Sequence, residues 1–183
     1  MLKVQRGLVL GVGNKPGPSF WLGEELPNTW GEAHQETVTV DIDAASKPTL
    51  VHDLTKQPWP LESDYFDVIH AYEVLEHLTQ QGDYRAFFAL WREIWRVLKP
   101  GGMILATTPW WQSLGAWGDP GHTCVYSPMT LSFFRQNVYA KDVGKTSMTD
   151  YRSSFPPPFH FEPLHISNTE TNFRFVLRKQ EAE

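Results

Sequence analysis

Two groups of acidic and histidine side chains could carry out proton-transfer chemistry. The stretch YEVLEHL contains Glu73, Glu76 and His77, and the stretch DPGHTC contains Asp119 and His122. Histidine titrates near neutral pH and a carboxylate can accept a proton, so either group could supply a general base. Each also has a structural alternative, because turn histidines often bond the backbone and aspartates often shape loops. We take Glu76, His77 and His122 as the candidate catalytic residues.

Two glycines and an aspartate form a second candidate, for ligand binding. Gly11 and Gly13 end the apolar run GLVLGVG, where the lack of a Cβ would let a ligand approach the backbone. Asp41 ends the run TVTVD, where a carboxylate can accept hydrogen bonds from both hydroxyls of a ribose. A tight turn without a ligand is the alternative for the glycines, and a solvated strand end is the alternative for Asp41. We expect Asp43 to be a bystander or a helper.

The residues after the second glycine restrict the class of nucleoside ligand. A phosphate-binding loop needs lysine followed by serine or threonine, but Lys15 precedes Pro16. A dinucleotide fingerprint needs a third glycine three residues after the second, and that position is the same proline. Glycine and proline also interrupt residues 16–33, which makes a poor crossover helix. A nucleoside without phosphates fits best.

Short apolar runs separated by helical or irregular segments predict the elements that position these residues. Runs of this kind are typical of strands buried on both faces. Before the last run, Asp83 caps a helix whose apolar residues recur every three or four positions up to Leu98. The alternation predicts an α/β fold with a doubly wound, mostly parallel Rossmann-like sheet, in which ligands bind beyond the carboxyl ends of the strands. The predicted strands cover residues 7–13, 37–43, 48–54, 66–75 and 102–109.

The carboxyl-terminal part adds a short helix and a further strand. Ser127 and Pro128 suit the N-cap and the first turn of a helix. The alternating run NFRFVLRK, residues 172–179, predicts an antiparallel edge strand. We expect residues 1–183 to form a single domain.

Composition argues against several classes of protein. The net charge is −5, with 16 Lys and Arg scattered among 21 Asp and Glu, so no basic face is expected for nucleic acid. Cys124 is the only cysteine, so we expect no internal disulfide, no cysteine-based zinc site and a cytoplasmic location. No run approaches the roughly 20 apolar residues that span a membrane.

Four motifs in order resemble the class I S-adenosylmethionine-dependent methyltransferases. They are LVLGVG, VTVDID, FDVIHAYEVLEHL and VLKPGGMILATTP, within residues 7–109. The segment DPGHTCVYSPMTLSFF, residues 119–134, is similar to one in a small bacterial and phage-type branch of that family. The resemblance implies S-adenosylmethionine as cofactor and methyl transfer to oxygen or nitrogen of an unidentified acceptor, which could be a small molecule, a sugar or a protein side chain.

The resemblance also implies roles for individual residues. Gly11 and Gly13 would line the methionine and ribose portion of the cofactor, and Asp41 would hold the ribose hydroxyls. Asp53 would accept from the adenine amino group, although an Asx turn is its alternative. The implied cofactor-binding residues are Gly11, Gly13, Asn14, Asp41, Ile42, Asp53, Leu54, Tyr72 and Glu73.

Other functions and a metal were also considered. The irregular crossover at residues 14–36, where the family usually has a helix, leaves open a catalytically inactive nucleoside-binding module that acts as a partner or regulatory protein. The glycine spacing disfavours a nicotinamide oxidoreductase. We expect no metal, because histidine and carboxylate ligands at a useful spacing on one element are missing. The sequence does not indicate an oligomeric state.

Overall fold

A single sheet organises the chain in a computed structural model, which describes residues 6–13 and 36–180. Asn14 and the rest of the irregular crossover up to residue 35 lie outside the described residues. The strands are β1 Arg6–Leu10, β2 Glu36–Asp41, β3 Leu50–Val51, β4 Phe66–Tyr72, β5 Leu98–Pro109, β6 Phe161–Asn168 and β7 Asn172–Lys179. The helices are α1 Tyr84–Val97, α2 Gly115–Gly118, α3 Pro128–Ser132 and α4 Gln136–Asp142, with short 3-10 helices at Ala44–Ser46 and Leu75–His77.

The sheet confirms the predicted fold class. Its strand order is β3-β2-β1-β4-β5-β7-β6, and β1 to β5 pair in parallel. The order reverses at β1, which lies between β2 and β4 and therefore forms the switch point where such sheets bind ligands. The antiparallel strand predicted at residues 172–179 is confirmed as β7, which pairs with β5. The prediction that it forms the edge of the sheet is wrong, because β6 pairs antiparallel with its other side and lies outermost.

The core forms because apolar residues cover both faces of the central strands. Leu8 and Leu10 of β1 and Ile69 of β4 have no exposed surface. On α1, the predicted apolar stripe packs against this sheet, and the ring centroid of Trp91 lies 4.0 Å from that of Phe134. Within the described residues, no helix has both the length and the apolar character needed to cross a membrane.

Some element boundaries differ from those predicted. The strand expected at 48–54 is reduced to Leu50–Val51, because Asp53 hydrogen-bonds Thr55 in a turn. Strand β6, Phe161–Asn168, was not predicted from the sequence and follows a proline-rich segment. Helix α1 ends at Val97, and the chain continues at once into β5, which therefore starts at Leu98 and not at residue 102 as predicted.

The predicted N-cap of α1 can be tested by mutation. Asp83 Oδ1 accepts a hydrogen bond from the Ala86 N–H at 3.0 Å. We expect Asp83→Ala to lower the free energy of unfolding by about 1 kcal/mol, measured by urea denaturation, because a first-turn amide loses its partner. Asp83→Asn keeps an acceptor and should cost only a small part of this. Equal losses in both variants would show that capping is not the cause.

Candidate functional site

A cavity of about 710 Å³ opens beyond the carboxyl ends of β1, β2 and β4. It lies at the switch point of the sheet and is within the size range of small-molecule sites. All the described residues that the resemblance assigned to the cofactor line it, together with one candidate catalytic residue. They are Gly11, Gly13, Asp41, Ile42, Asp53, Leu54, Tyr72, Glu73 and His77.

Asp41 is held by backbone amides at the end of β2. Its Oδ2 accepts from the Gly13 N–H at 3.0 Å, and its Oδ1 accepts from the Asp43 N–H at 2.8 Å. Partial burial tends to raise the pKa of Asp41, but these amide hydrogen bonds outweigh it and leave the pKa below its ordinary value. The cavity therefore carries a negative charge at neutral pH where β1 and β2 end.

Gly11 and Gly13 exclude a side chain for different structural reasons. Gly11 has φ +70°, and a Cβ added there would lie 2.6 Å from Cγ2 of Val74. Gly13 has φ +53°, and no atom of the described residues lies within 4 Å of a Cβ added there. We expected glycine at position 11 because a Cβ would hold a ligand away from the backbone. This reason needs correction, because a Cβ there would first overlap Val74 of the protein itself. At Gly13 the described residues leave the Cβ position open, as a close ligand approach requires.

Asp53 forms the Asx turn that was considered as its alternative, and it also lines the cavity. Its Oδ1 accepts from the Thr55 N–H at 2.9 Å and from the Thr55 hydroxyl at 2.6 Å, and these bonds lower its pKa. Among the described residues, Oδ2 has no hydrogen-bond donor, so this oxygen can still accept from a ligand. The Leu54 carbonyl is already occupied by Nε1 of Trp59 at 3.0 Å.

Glu73 is held in a strained conformation over the cavity. Its φ is +50°, which costs energy for a residue with a side chain, and its N–H donates to the Thr107 carbonyl at 2.9 Å. Its Oε1 accepts from Nδ2 of Asn172 at 2.9 Å. Thr107 was among the strand-end residues expected at the site and does line the cavity, but sequence reasoning missed Asn172 and Arg174. No local motif could have identified the two β7 residues, because only the pairing of β7 with β5 brings them there.

The three candidate catalytic residues meet in space. Glu76 and His77 lie on the Leu75–His77 helix, and His122 comes from a loop after α2. His77 Nε2 is 4.0 Å from a Glu76 oxygen, and the ring centroids of His77 and His122 are 4.8 Å apart. Of the three, His77 lines the cavity. The backbone-bonding alternative for both histidines is also present, since Nδ1 of His77 bonds the Gly121 carbonyl and Nδ1 of His122 bonds the Gly115 carbonyl.

Glu76 is a buried carboxyl group without a partner. Its exposed fraction is 1%, and neither carboxylate oxygen has a hydrogen-bond partner on another described residue. The pKa of Glu76 is raised to about 8, chiefly by burial; a hydrogen bond from the glutamate's own backbone amide lowers it in part, and the nearby charges of Glu73 and Asp119 contribute to the rise. Such a group is unusual in a folded protein and calls for an explanation.

Part of the chain matches a known protein family. Residues 28–106 match a family model described as a methyltransferase domain. No curated protein matches the chain.

Solved structures of low sequence identity share the fold. The N-methyltransferase NodS from Bradyrhizobium japonicum WM9, in complex with S-adenosyl-L-homocysteine, has a TM-score of 0.57 and 13% identity, over 97% of this chain and 79% of that one. A SAM-dependent methyltransferase from Archaeoglobus fulgidus has a TM-score of 0.55 and 16% identity, over 96% and 86% of the two chains. The [4+2]-cyclase SpnF has a TM-score of 0.54 and 13% identity, over 96% and 74%.

The different surroundings of Gly11 and Gly13 predict different costs for the same substitution. Gly13→Ala should lower the free energy of unfolding by about 1–2 kcal/mol, the cost of a positive φ for a residue with a Cβ. Gly11→Ala should cost clearly more, because its Cβ also overlaps Val74. Denaturant titration measures both values.

A second substitution separates the two contributions at Gly11. Adding Val74→Ala to Gly11→Ala removes the overlapping methyl groups and should recover part of the loss relative to Val74→Ala alone. Equal costs for the two glycine variants would contradict the assigned role of Val74.

Proposed function

We propose that this chain is a class I S-adenosylmethionine-dependent methyltransferase, that its cavity binds the methyl donor and that the acceptor atom is an oxygen or a nitrogen. The methyltransferase-domain match over residues 28–106 and the fold shared with solved methyltransferases support this proposal. The observation that carries this proposal is the charged Asp41 carboxylate beside the open backbone of Gly13, at the switch point of the sheet. A carboxylate in this position suits the two hydroxyls of a ribose.

The remaining cavity residues suit the other parts of the donor. Ile42 is 68% exposed at the cavity and Leu54 is buried in its wall, so apolar surface is available for an adenine ring. The free Oδ2 of Asp53 suits the adenine amino group. Glu73 and Tyr72, at the end of β4, would flank the methionine portion. These assignments are the proposal's cofactor-binding set, together with Gly11.

The chain's task in the reaction is chiefly one of alignment. When bound, S-adenosylmethionine supplies a methyl group already activated on a sulfonium. Holding an acceptor in line with that group can contribute about 7 kcal/mol or more towards the barrier. His77 is the candidate base at the cavity, and because the Gly121 carbonyl can only accept a hydrogen bond, the proton lies on Nδ1 and Nε2 has the free lone pair.

The proposal extends to the setting of the enzyme. The chain acts as one methyltransferase domain on a small molecule, a sugar or a protein side chain. We place it in the cytoplasm, where the buried free thiol of Cys124 would remain reduced.

A binding module without catalysis is the second candidate. It stays a candidate because a [4+2]-cyclase has the same fold, so the fold does not by itself require methyl transfer. Transfer of a labelled methyl group to any member of a broad acceptor panel would support the enzyme. Tight donor binding without turnover on that panel would support the module.

Asp41 provides the direct test of the donor site. We expect Asp41→Ala to weaken binding of S-adenosyl-L-homocysteine about tenfold or more, measured by calorimetry, because charge-assisted hydrogen bonds to the ribose are lost. Asp43→Ala is the matched control: this carboxylate is two residues away, does not line the cavity and caps the Ala44–Ser46 turn. Unchanged affinity in Asp41→Ala would remove the ribose assignment.

A further inference from the structure

The candidate catalytic residues have an arrangement that proton transfer alone does not explain. One carboxylate oxygen of Glu76 and one ring nitrogen each of His77 and His122 lie within 4.8 Å of one another. Two ligands of a tetrahedral zinc ion are about 3.4 Å apart. An inward movement of about 1 Å by the side chains is therefore enough to bring all three onto one ion.

Both imidazole rings are oriented as metal ligands usually are. Nδ1 of His77 lies 2.8 Å from the Gly121 carbonyl, and Nδ1 of His122 lies 2.7 Å from the Gly115 carbonyl. A carbonyl oxygen only accepts, so each Nδ1 carries the hydrogen and each neutral ring has its lone pair on Nε2. A second hydrogen bond of this kind fixes the tautomer and the direction of a ligating histidine.

Glu76 supplies the independent observation that points to a cation. Its side chain is almost fully buried, and both oxygens lack hydrogen-bond partners on other described residues. A buried carboxylate is stable only when it is paired, protonated or bound to a metal. The Nε2 atom of His77, 4.0 Å away, is too distant for a hydrogen bond.

The loop that carries His122 is fixed firmly against the helix that carries Glu76. The N–H groups of Thr123 and Cys124 both donate to the Glu76 carbonyl, at 2.9 and 3.0 Å. The Thr123 hydroxyl donates to the Thr79 carbonyl at 2.6 Å. The two segments therefore hold their ligands at a set separation, as a preformed site requires.

We propose that Glu76, His77 and His122 bind a divalent transition-metal ion at the edge of the cavity. Two imidazoles and one carboxylate form a donor set that suits Zn²⁺ and its neighbours, whereas Mg²⁺ and Ca²⁺ prefer all-oxygen sites. Asp119 lies 3.8 Å from Nε2 of His122 and can supply a further oxygen. The expectation of no metal considered ligands on one element, but the fold brings them from two segments.

The ion lies where it can act on the acceptor. His77 lines the cavity, so an open coordination position on that side faces the space next to the donor. An ion there takes the Nε2 lone pair of His77, which then no longer serves as the base, and it can instead bind an oxygen of the acceptor and orient it. This role rests on the proposed function, whereas the metal site itself does not.

Metal titration of the full chain tests the site. After removal of metals with a chelator, ZnCl₂ and MnCl₂ are titrated by calorimetry into untagged protein, with MgCl₂ and CaCl₂ for comparison. We expect one Zn²⁺ per chain, bound more tightly than Mg²⁺. Glu76→Gln and His122→Gln should each weaken Zn²⁺ binding at least tenfold, because loss of a ligand exceeds the 10- to 100-fold effects known for outer partners.

Control variants make the result decisive. His165→Gln, on the outermost strand β6, should bind Zn²⁺ as the unmodified chain does. Glu76→Gln keeps the side-chain shape, and circular dichroism checks that each variant is folded. The proposal would be overturned if Glu76→Gln bound Zn²⁺ as tightly as the unmodified chain. It would also be overturned if only His165→Gln lost the Zn²⁺ site, or if the unmodified chain bound Mg²⁺ as tightly as Zn²⁺.

Binding of S-adenosyl-L-homocysteine to the same samples separates the two proposals. Loss of Zn²⁺ binding with the nucleoside affinity retained is the result expected for Glu76→Gln. If the unmodified chain binds the nucleoside but no Zn²⁺, the metal proposal fails and the donor site stands. If it binds Zn²⁺ but no nucleoside, the donor site fails and the metal site stands.

Discussion

The parallel alignment of β1 with β2 and β4 is the constraint on which the site depends. Leu10 pairs with Val40 on one side and with Ala71 on the other, so all three strands end at the same level. The next residue of each strand, Gly11, Asp41 or Tyr72, therefore reaches the same cavity. A one-residue shift of β2 against β1 would separate the Asp41 carboxylate from the glycine backbone, because one residue changes the face to which a side chain points.

The same edge of the sheet holds two groups with opposite electrostatic surroundings. Asp41 accepts backbone hydrogen bonds and has a lowered pKa, which suits a carboxylate that binds a neutral polar ligand. Glu76 is buried without such donors, and its pKa is raised to about 8, chiefly by that burial. The backbone carbonyl of Glu76 accepts two hydrogen bonds, whereas its carboxyl group has no hydrogen-bond partner on another described residue.

The fold is supported by similarity to solved structures, whereas the proposed chemistry is supported by the geometry of the site. Structures at 13–16% identity share the fold over nearly the whole chain, and one of them is a cyclase. The activity must therefore be argued from the site itself, as the carboxylate, glycine and histidine geometry allows. The strained φ of Glu73, fixed by β5 and β7, is another sign that this edge of the sheet was shaped for a ligand.

Local patterns were enough to predict the buried strands, α1 with its Asp83 cap, and the cavity-lining positions at the strand ends. Each of these features depends on residue types that are close together in the sequence. Only the tertiary structure could decide what lies far apart in sequence. It placed Asn172 beside Glu73, Val74 against Gly11, and His122 next to Glu76 and His77. These contacts arise from strand order and from two loops that hydrogen-bond each other, and no periodicity or spacing within one segment encodes them.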